Sequence, residues 1–116
     1  MMNITVREDA TITDVFKQLN STSEKTLLIV DSQNRLLGTL TDGDIRRSLL
    51  SGGLLDSKIK GIYNKSPKFL VKDNYSEEQA KAVLISNKIE LLPVVNGEGV
   101  LVDYITWEQH ASEQNS

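Results

Sequence analysis

Apolar positions in the first half of the chain form short runs separated by polar turns. Ile4 and Val6 alternate with polar neighbours, which predicts a short strand. From Ile12 onward, apolar residues recur at i, i+3, i+4 and i+7, which is the stripe of an amphipathic helix. Thr11, with Asp14 three places later, has the spacing of a capping box, so we expect this helix to begin there.

Two apolar runs and a polar turn follow this helix. The uncharged run Thr26–Val30 predicts a strand buried on both faces. The turn cluster Asp31–Asn34 then leads into a second strand, Leu36–Leu40, and the two strands together suit a hairpin. The next turn, Thr41–Asp44, has capping-box spacing again and opens a helix that we expect to run through Leu50.

The second half of the chain repeats this order. Leu91–Val95 aligns with the first hairpin strand at an offset of 65 residues, and Thr106 aligns with Thr41. The helix opened by Ser76 aligns better at an offset of 64, which predicts that the extra residue lies in the loop after that helix. Pro93 lacks an N–H, so we expect it at a sheet edge or an irregular position. A last helix is predicted over residues 106–111.

Each half therefore has the order strand–helix–strand–strand–helix. Neither half is long enough to bury much apolar surface alone, so we expect an α+β fold of two units packed pseudo-symmetrically around a shared core. The predicted boundaries are a first repeat over residues 1–54, a connector over 55–66, a second repeat over 67–112 and a frayed tail over 113–116.

The composition of the chain argues against several classes of function. The 116 residues carry a formal net charge of −3, so no overall basic field attracts nucleic acid. The absence of cysteine excludes disulfides, thiol nucleophiles and thiolate metal sites. No apolar run approaches the roughly 18 residues that a membrane span needs. The N-terminus lacks the layout of a signal peptide, so we expect a cytoplasmic protein.

Catalysis and metal binding have little support in the sequence. His110 is the only histidine, so one chain offers no pair of histidines for a metal and no His-based triad. Asp42 and Asp44 have no third oxygen ligand beside them in the sequence, so they are a weak candidate for a Mg²⁺ site. The lysines of the connector are typical of a solvated face, and the alternative is that they line a cleft that faces a phosphate. Without a nucleophile–base pair, we expect no enzymatic activity in this chain alone.

The turn after the second hairpin strand carries the candidate chemistry. Thr41, Asp42 and Asp44 offer a hydroxyl and two carboxylates to a ligand with hydroxyl groups, and Arg46 and Arg47 offer charge to an anion. An ordinary helix start with a solvated basic face explains the same residues. The two carboxylates would repel a phosphate unless the arginines or a metal compensate them.

The internal repeat helps to weigh these two interpretations. The second half keeps Thr106 but has Asp103 and Gln109 where the first half has Gly38 and Asp44. We therefore interpret the first half's glycine, aspartate and arginines as residues that capping does not require. This pattern favours a single ligand site, in the first half.

The strings Leu37–Arg47 and Leu92–Val95 resemble a pair of cystathionine-β-synthase (CBS) domains, also called a Bateman module. The first of these stretches looks like the version found in CBS pairs attached to sugar-phosphate enzymes, such as sugar-phosphate nucleotidyltransferases or arabinose-5-phosphate isomerases. The resemblance covers essentially the whole chain and implies a regulatory module that binds adenosine nucleotides.

The resemblance also assigns roles to residues. It implies that Asp44 binds ribose hydroxyls and that Thr41 contacts phosphate or ribose. The residues that it implies around the base are Thr5, Val6, Leu27 and Leu28.

From this resemblance we expect a homodimeric, non-catalytic module that senses AMP, ADP or ATP. It would require no cofactor and would act on a catalytic domain in cis or on a partner enzyme. The alternative is a structural dimerisation module whose ligand site has decayed, which Gln109 in the second half supports.

Overall fold

The computed structural model of the chain describes residues 4–22 and 24–106. The chain divides into two compact units, Met1–Pro67 and Lys68–Ser116. Each unit contains a three-stranded sheet and at least one helix beside it in the chain. The predicted α+β fold class is confirmed. Within the described ranges, no helix is long and apolar enough to cross a membrane.

The first unit contains every element predicted for it. In chain order these are β1 (Thr5–Val6), α1 (Ile12–Ser21), β2 (Thr26–Val30), β3 (Leu36–Thr41) and α2 (Asp42–Leu50). The sheet order is β1-β2-β3, with β1 parallel and β3 antiparallel to β2. All five residues of β2 are buried, as their apolar character predicts for a central strand.

The second unit repeats the first down to the strand register. Its elements are β4 (Leu70–Val71), α3 (Glu77–Asn87), β5 (Leu91–Val95) and β6 (Leu101–Thr106), in the sheet order β4-β5-β6. Thr26 pairs with Thr41, and Leu91 pairs with Thr106 at the equivalent place. Both hairpins even share an irregularity, between Ile29 and Val30 and between Val94 and Val95. The internal repeat is thus confirmed, while the predicted last helix lies outside the described residues from position 107 onward.

The position of the extra residue differs from the prediction. The N-caps Thr11 and Ser76 are 65 residues apart, whereas Val6 and Leu70, which hold equivalent register positions, are 64 apart. The insertion therefore lies between β4 and α3, and its predicted place after the helix is wrong. Asp73, in this loop, has a φ of 66°, a left-handed conformation that aspartate tolerates better than most residues.

Pro93 lies in the middle of β5, the central strand, so its predicted edge position is also wrong. In the first unit the equivalent Leu28 donates its N–H to the Ile4 carbonyl at 2.7 Å. Pro93 has no N–H for this bond, and the pairing of β4 with β5 begins one residue later, at Val94. The proline is tolerated because only this one bond to the short parallel neighbour is lost.

Residues 55–66, expected to form a connector, pack against the first unit. The Ile12 N–H donates to the Ser57 carbonyl, and the Ile59 N–H donates to the Ala10 carbonyl, both at 2.9 Å. Further along, Asn64 pairs with the outer edge of β3. Ile59 is fully buried. This segment therefore completes the first unit, and its lysines lie on a chain that is held at several points.

Candidate functional site

The start of α2 is a complete capping box. Thr41 keeps an extended backbone, and its side-chain oxygen accepts a hydrogen bond from the Asp44 N–H at 3.2 Å. In return, Oδ2 of Asp44 accepts from the Thr41 N–H at 2.9 Å. The same reciprocal pair of bonds opens α1 and α3. Asp44 therefore has a structural role, and the inference that capping does not require it is wrong.

Both carboxylates of the turn are paired with the arginines that follow. Arg46 donates to Asp42, and Arg47 donates to Oδ1 of Asp44. The Asp44 side chain is only 18% exposed, whereas that of Arg47 is 73% exposed. The expected compensation of the two carboxylates by the arginines is thus present. The exposed guanidinium groups can rearrange toward an anion at little cost, since exposed ion pairs contribute little stability.

Gly38 is explained by a close approach of the connector. A Cβ at this position would lie 2.1 Å from the Asn64 carbonyl oxygen and 2.7 Å from the Tyr63 ring. The Tyr63 hydroxyl donates to a carboxylate oxygen of Glu8 at 2.6 Å, and burial raises the pKa of Tyr63 to about 12, with a further contribution from this bond. The glycine is therefore required for packing, and it gives no independent support to a ligand site.

Thr5 and Leu28, two of the four residues implied around the base, lie on the sheet face that carries Thr41. Thr5 is opposite Leu28, which is opposite Thr39, and residues directly opposite each other share a face. Two strand spacings across and two residues along put Thr5 roughly 12 Å from Thr41. That span suits a nucleoside. Leu28 itself is fully buried, so its side chain contributes to the packing on this face.

Val6 and Leu27 lie on the opposite face, because successive residues of a strand alternate. Leu27 is directly opposite Leu40, and both are fully buried. The structure therefore brings Thr5 and Leu28, but not Val6 and Leu27, onto the face of Thr41.

Two threonines on the Thr41 face were missed from the sequence. Thr39 precedes Thr41 by two residues, and Thr26 is directly opposite Thr41. Thr26 is 7% exposed, while Thr39 is half-buried. The period of two along a strand, combined with the predicted hairpin, was the signal that could have identified them.

A small cleft of about 250 Å³ adjoins the start of α2. The lining residues come from the end of α1, the loop before β2 and the first residue of α2, and they are Leu19, Asn20, Thr22, Glu24, Lys25 and Asp42. The Asp42 N–H donates to the Lys25 carbonyl, which fixes one wall. Within the described ranges, no group of three or more metal-ligating side chains is present.

Comparison with known proteins identifies the family. Residues 2–51, which contain the whole Thr41–Asp44 turn, match the family model of the CBS domain. These residues form a CBS domain. This matches the resemblance seen in the sequence.

The curated relatives are longer proteins that contain a CBS region. The inosine-5'-monophosphate dehydrogenase of Bifidobacterium longum is 31% identical over 103 residues, which are 89% of this chain and 19% of that protein. The arabinose 5-phosphate isomerase GutQ of Shigella flexneri is 31% identical over 96 residues, which are 83% of this chain and 30% of that protein. The chain thus spans less than a third of the length of either relative.

Solved structures share the fold of both units. CBSX2 in complex with AMP has a TM-score of 0.81 at 23% identity, covering 97% of this chain and 90% of that chain. A CBS domain protein from Pyrobaculum aerophilum complexed with AMP has a TM-score of 0.79 at 24% identity, covering 90% and 80%. The cytosolic domain of the Mg²⁺ channel MgtE in complex with ATP has a TM-score of 0.80 at 23% identity, covering 95% and 44%. The chain therefore has the fold of a CBS pair.

Proposed function

We propose that this CBS pair is a regulatory module that binds an adenine nucleotide at the start of α2. The observation that carries the proposal is that the family match contains the whole Thr41–Asp44 turn, in a fold whose solved neighbours include AMP and ATP complexes. The alternation of strand residues adds a threonine-rich face next to that turn. No catalytic step is assigned to the module.

Asp44 is the proposed ribose contact. Oδ2 of its carboxylate accepts from the Thr41 N–H, which sets the orientation of the carboxylate before a ligand arrives, and Oδ1 accepts from the exposed Arg47. A carboxylate has about four acceptor positions, and these two bonds leave capacity for both ribose hydroxyls. Hydrogen bonds to an ionised acceptor are about twice as strong as neutral ones.

Arg46 and Arg47 are the proposed phosphate contacts. Their guanidinium groups are largely exposed and are paired with the two carboxylates of the first turn of α2, where the helix N-terminus also favours anions. Thr41 remains the cap and contacts phosphate or ribose through its hydroxyl. The base lies along the Thr41 face toward Thr5.

We further propose the setting in which the module acts. It forms a homodimer in the cytoplasm and regulates a catalytic domain in cis or a partner enzyme, of the sugar-phosphate nucleotidyltransferase or isomerase type. The GutQ relatives support an isomerase-like parent. Ligand binding can shift the module between arrangements only by its difference in affinity for them.

A dimerisation module with a decayed ligand site is the second candidate function. The observation that favours it is that Asp44, Arg47 and Gly38 all have structural partners without any ligand. Under this alternative the dimer persists and no nucleotide binds.

Calorimetric titration of AMP, ADP and ATP into the full chain distinguishes the two candidates. We expect Asp44→Ala to lower affinity by about tenfold or more, which is at least about 1.4 kcal/mol. Asp14→Ala is the matched control, because it removes the equivalent member of the α1 capping box. We expect it to change affinity by less than about twofold. Absence of heat from all three nucleotides, with the dimer intact by light scattering, would favour the dimerisation module instead.

A further inference from the structure

The turn between β2 and β3 is held by one acidic side chain. The Asp31 N–H donates to the Arg35 carbonyl at 3.1 Å, and the Asn34 N–H donates to the Asp31 carbonyl at 3.0 Å. Oδ1 of Asp31 also accepts from the Gln33 and Arg35 N–H groups, both at 2.9 Å. A single carboxylate oxygen therefore ties together the backbone of this turn.

The turn between β5 and β6 repeats these bonds around an amide. Asn96 stands where the first unit has Asp31, and its N–H donates to the Val100 carbonyl at 2.9 Å. The Asn96 carbonyl accepts from the Gly99 N–H at 3.0 Å. Its Oδ1 accepts from the Glu98 N–H at 2.9 Å and from the Val100 N–H at 3.0 Å. The two turns thus share their backbone bonds and differ in the side-chain group that receives them.

A carboxylate is the better acceptor for these N–H groups. The hydrogen bond from the Arg35 N–H, with a smaller contribution from the Gln33 N–H, lowers the pKa of Asp31 below 3.8. Hydrogen bonds to an ionised acceptor are about twice as strong as neutral ones. The ion pair of Asp31 with the Arg35 side chain has no counterpart at Val100, so the backbone bonds are what the two turns share. Conversion of the Asn96 amide to a carboxylate would therefore strengthen the second turn.

The residue after Asn96 leaves its amide open to attack from the backbone. Gly97 is exposed, and a Cβ added to it would meet nothing within 4 Å. Because glycine has no side chain, its backbone nitrogen can approach the neighbouring Cγ with the least steric hindrance. Asn96 is the only asparagine in the sequence that precedes a glycine. This combination distinguishes Asn96 from the other asparagines of the chain.

The two N–H groups on Oδ1 of Asn96 also favour this attack. Addition of a nucleophile to Cγ places negative charge on Oδ1 in the tetrahedral intermediate. The Glu98 and Val100 N–H groups lie 2.9 and 3.0 Å from that oxygen, which is the distance at which backbone donors stabilise an oxyanion. Both donors are already in place in the folded turn, so they need no rearrangement.

We propose that Asn96 is a site of spontaneous deamidation, which gives the second turn the carboxylate of the Asp31 turn. The Gly97 nitrogen bonds to Cγ of Asn96, its proton leaves with the side-chain nitrogen as ammonia, and a cyclic succinimide forms. Water then adds its hydroxyl to Cγ and a proton to the Gly97 nitrogen, which restores the peptide bond and leaves aspartate. Opening toward isoaspartate is disfavoured in the folded chain, because it adds a methylene to the backbone of the turn. The proposal does not depend on nucleotide binding by the first unit.

Peptide mass spectrometry of the full chain, incubated in mildly alkaline buffer, tests the proposal. Exchange of the amide NH₂ for OH raises the peptide mass by about one dalton. We expect this increase at Asn96 before any other asparagine, with aspartate in excess over isoaspartate. Gly97→Ala is the matched variant, because the new Cβ meets nothing within 4 Å. We expect it to fold and to deamidate at least about fivefold more slowly, because the methyl group hinders the attack.

Two further measurements test the role of the turn. We expect Asn96 to react at least as fast in the native chain as in the chain unfolded in guanidinium chloride at the same pH. The reason is that only the folded turn supplies the two N–H donors to Oδ1. Asn96→Asp should have an equal or higher midpoint of urea unfolding than the unaltered chain at neutral pH, because its carboxylate accepts the same bonds more strongly.

Any of four results would overturn the proposal. The first is an Asn96 amide that persists while other asparagines react, and the second is an unchanged rate in Gly97→Ala. The third is a slower reaction in the native chain than in the unfolded chain, which would mean that the turn protects the amide. The fourth is an excess of isoaspartate or a lower urea midpoint for Asn96→Asp, since either would show that the turn does not favour the aspartate product.

Discussion

Replacing Gly38 by alanine tests whether the connector is an integral part of the first unit. The new Cβ would lie 2.1 Å from the Asn64 carbonyl oxygen, which belongs to backbone and cannot rotate away. If the connector stays in place, overpacking costs about 1–3 kcal/mol. If it moves away, the two Thr39–Asn64 backbone bonds and the Tyr63–Glu8 bond are lost. At about 1 kcal/mol for each backbone bond and more for the bond to a carboxylate, that route costs about 3–4 kcal/mol.

The protein takes the cheaper of the two routes, so we expect Gly38→Ala to lower the free energy of unfolding by about 1–3 kcal/mol, measured by urea denaturation. The exchange of the Thr39 and Asn64 amide hydrogens should also become faster. Gly97→Ala is the matched control, because a Cβ at Gly97 meets nothing within 4 Å. A loss of less than about 0.5 kcal/mol for Gly38→Ala, no more than a neutral surface change gives, would refute this account of the glycine.

Three further predictions concern ionisation and capping. The pKa of Tyr63 is raised to about 12. The stability that the protonated hydroxyl contributes is therefore present below pH 10 and is lost as the pH rises toward 12. Tyr63→Phe should remove this loss from the unfolding free energy measured at alkaline pH. The hydrogen bond from the Arg35 N–H lowers the pKa of Asp31 below 3.8. Its contribution is therefore present above pH 3.8 and lost in more acidic solution, and Asp31→Asn should flatten the acid limb of the stability curve. Thr11→Ala should cost about 1 kcal/mol of unfolding free energy through the lost cap, whereas Thr13→Ser, which keeps the hydroxyl bond to the Leu55 carbonyl, should cost less.

Local features of the fold were predictable from sequence. The period of the apolar residues gave α1 and the hairpins, because each element buries one stripe or one run. The capping boxes at Thr11, Thr41 and Ser76 followed from spacing alone, since their partners are three residues away. The place of the one-residue insertion was not predictable, because an insertion leaves the apolar pattern on both sides nearly unchanged.

Features that depend on distant residues were not predictable. The need for glycine at position 38 comes from residues 63 and 64, which are far away in sequence and adjacent only after folding. Pro93 was predicted at an edge or an irregular position because it lacks an N–H. The central position is tolerated because the neighbouring strand β4 is only two residues long, which the sequence around Pro93 does not show.

The candidate site was predictable in chemistry but only partly in geometry. Its polar residues at the helix start are adjacent in sequence, so their meeting needs no long-range contact. The implied base contacts Val6 and Leu27 lie on the other sheet face, while Thr26 and Thr39 lie on the face of Thr41. That assignment depends on the register between strands, which the repeat pattern alone did not reveal.

Titration of AMP into the isotope-labelled chain, followed through its amide NMR signals, tests the central claim most directly. We predict saturable changes at Thr39–Arg47 and at Thr5, with Asp14→Ala behaving as the unaltered chain and Asp44→Ala losing the response. Unchanged spectra at millimolar AMP, or changes confined to the second unit, would contradict a nucleotide site at the start of α2.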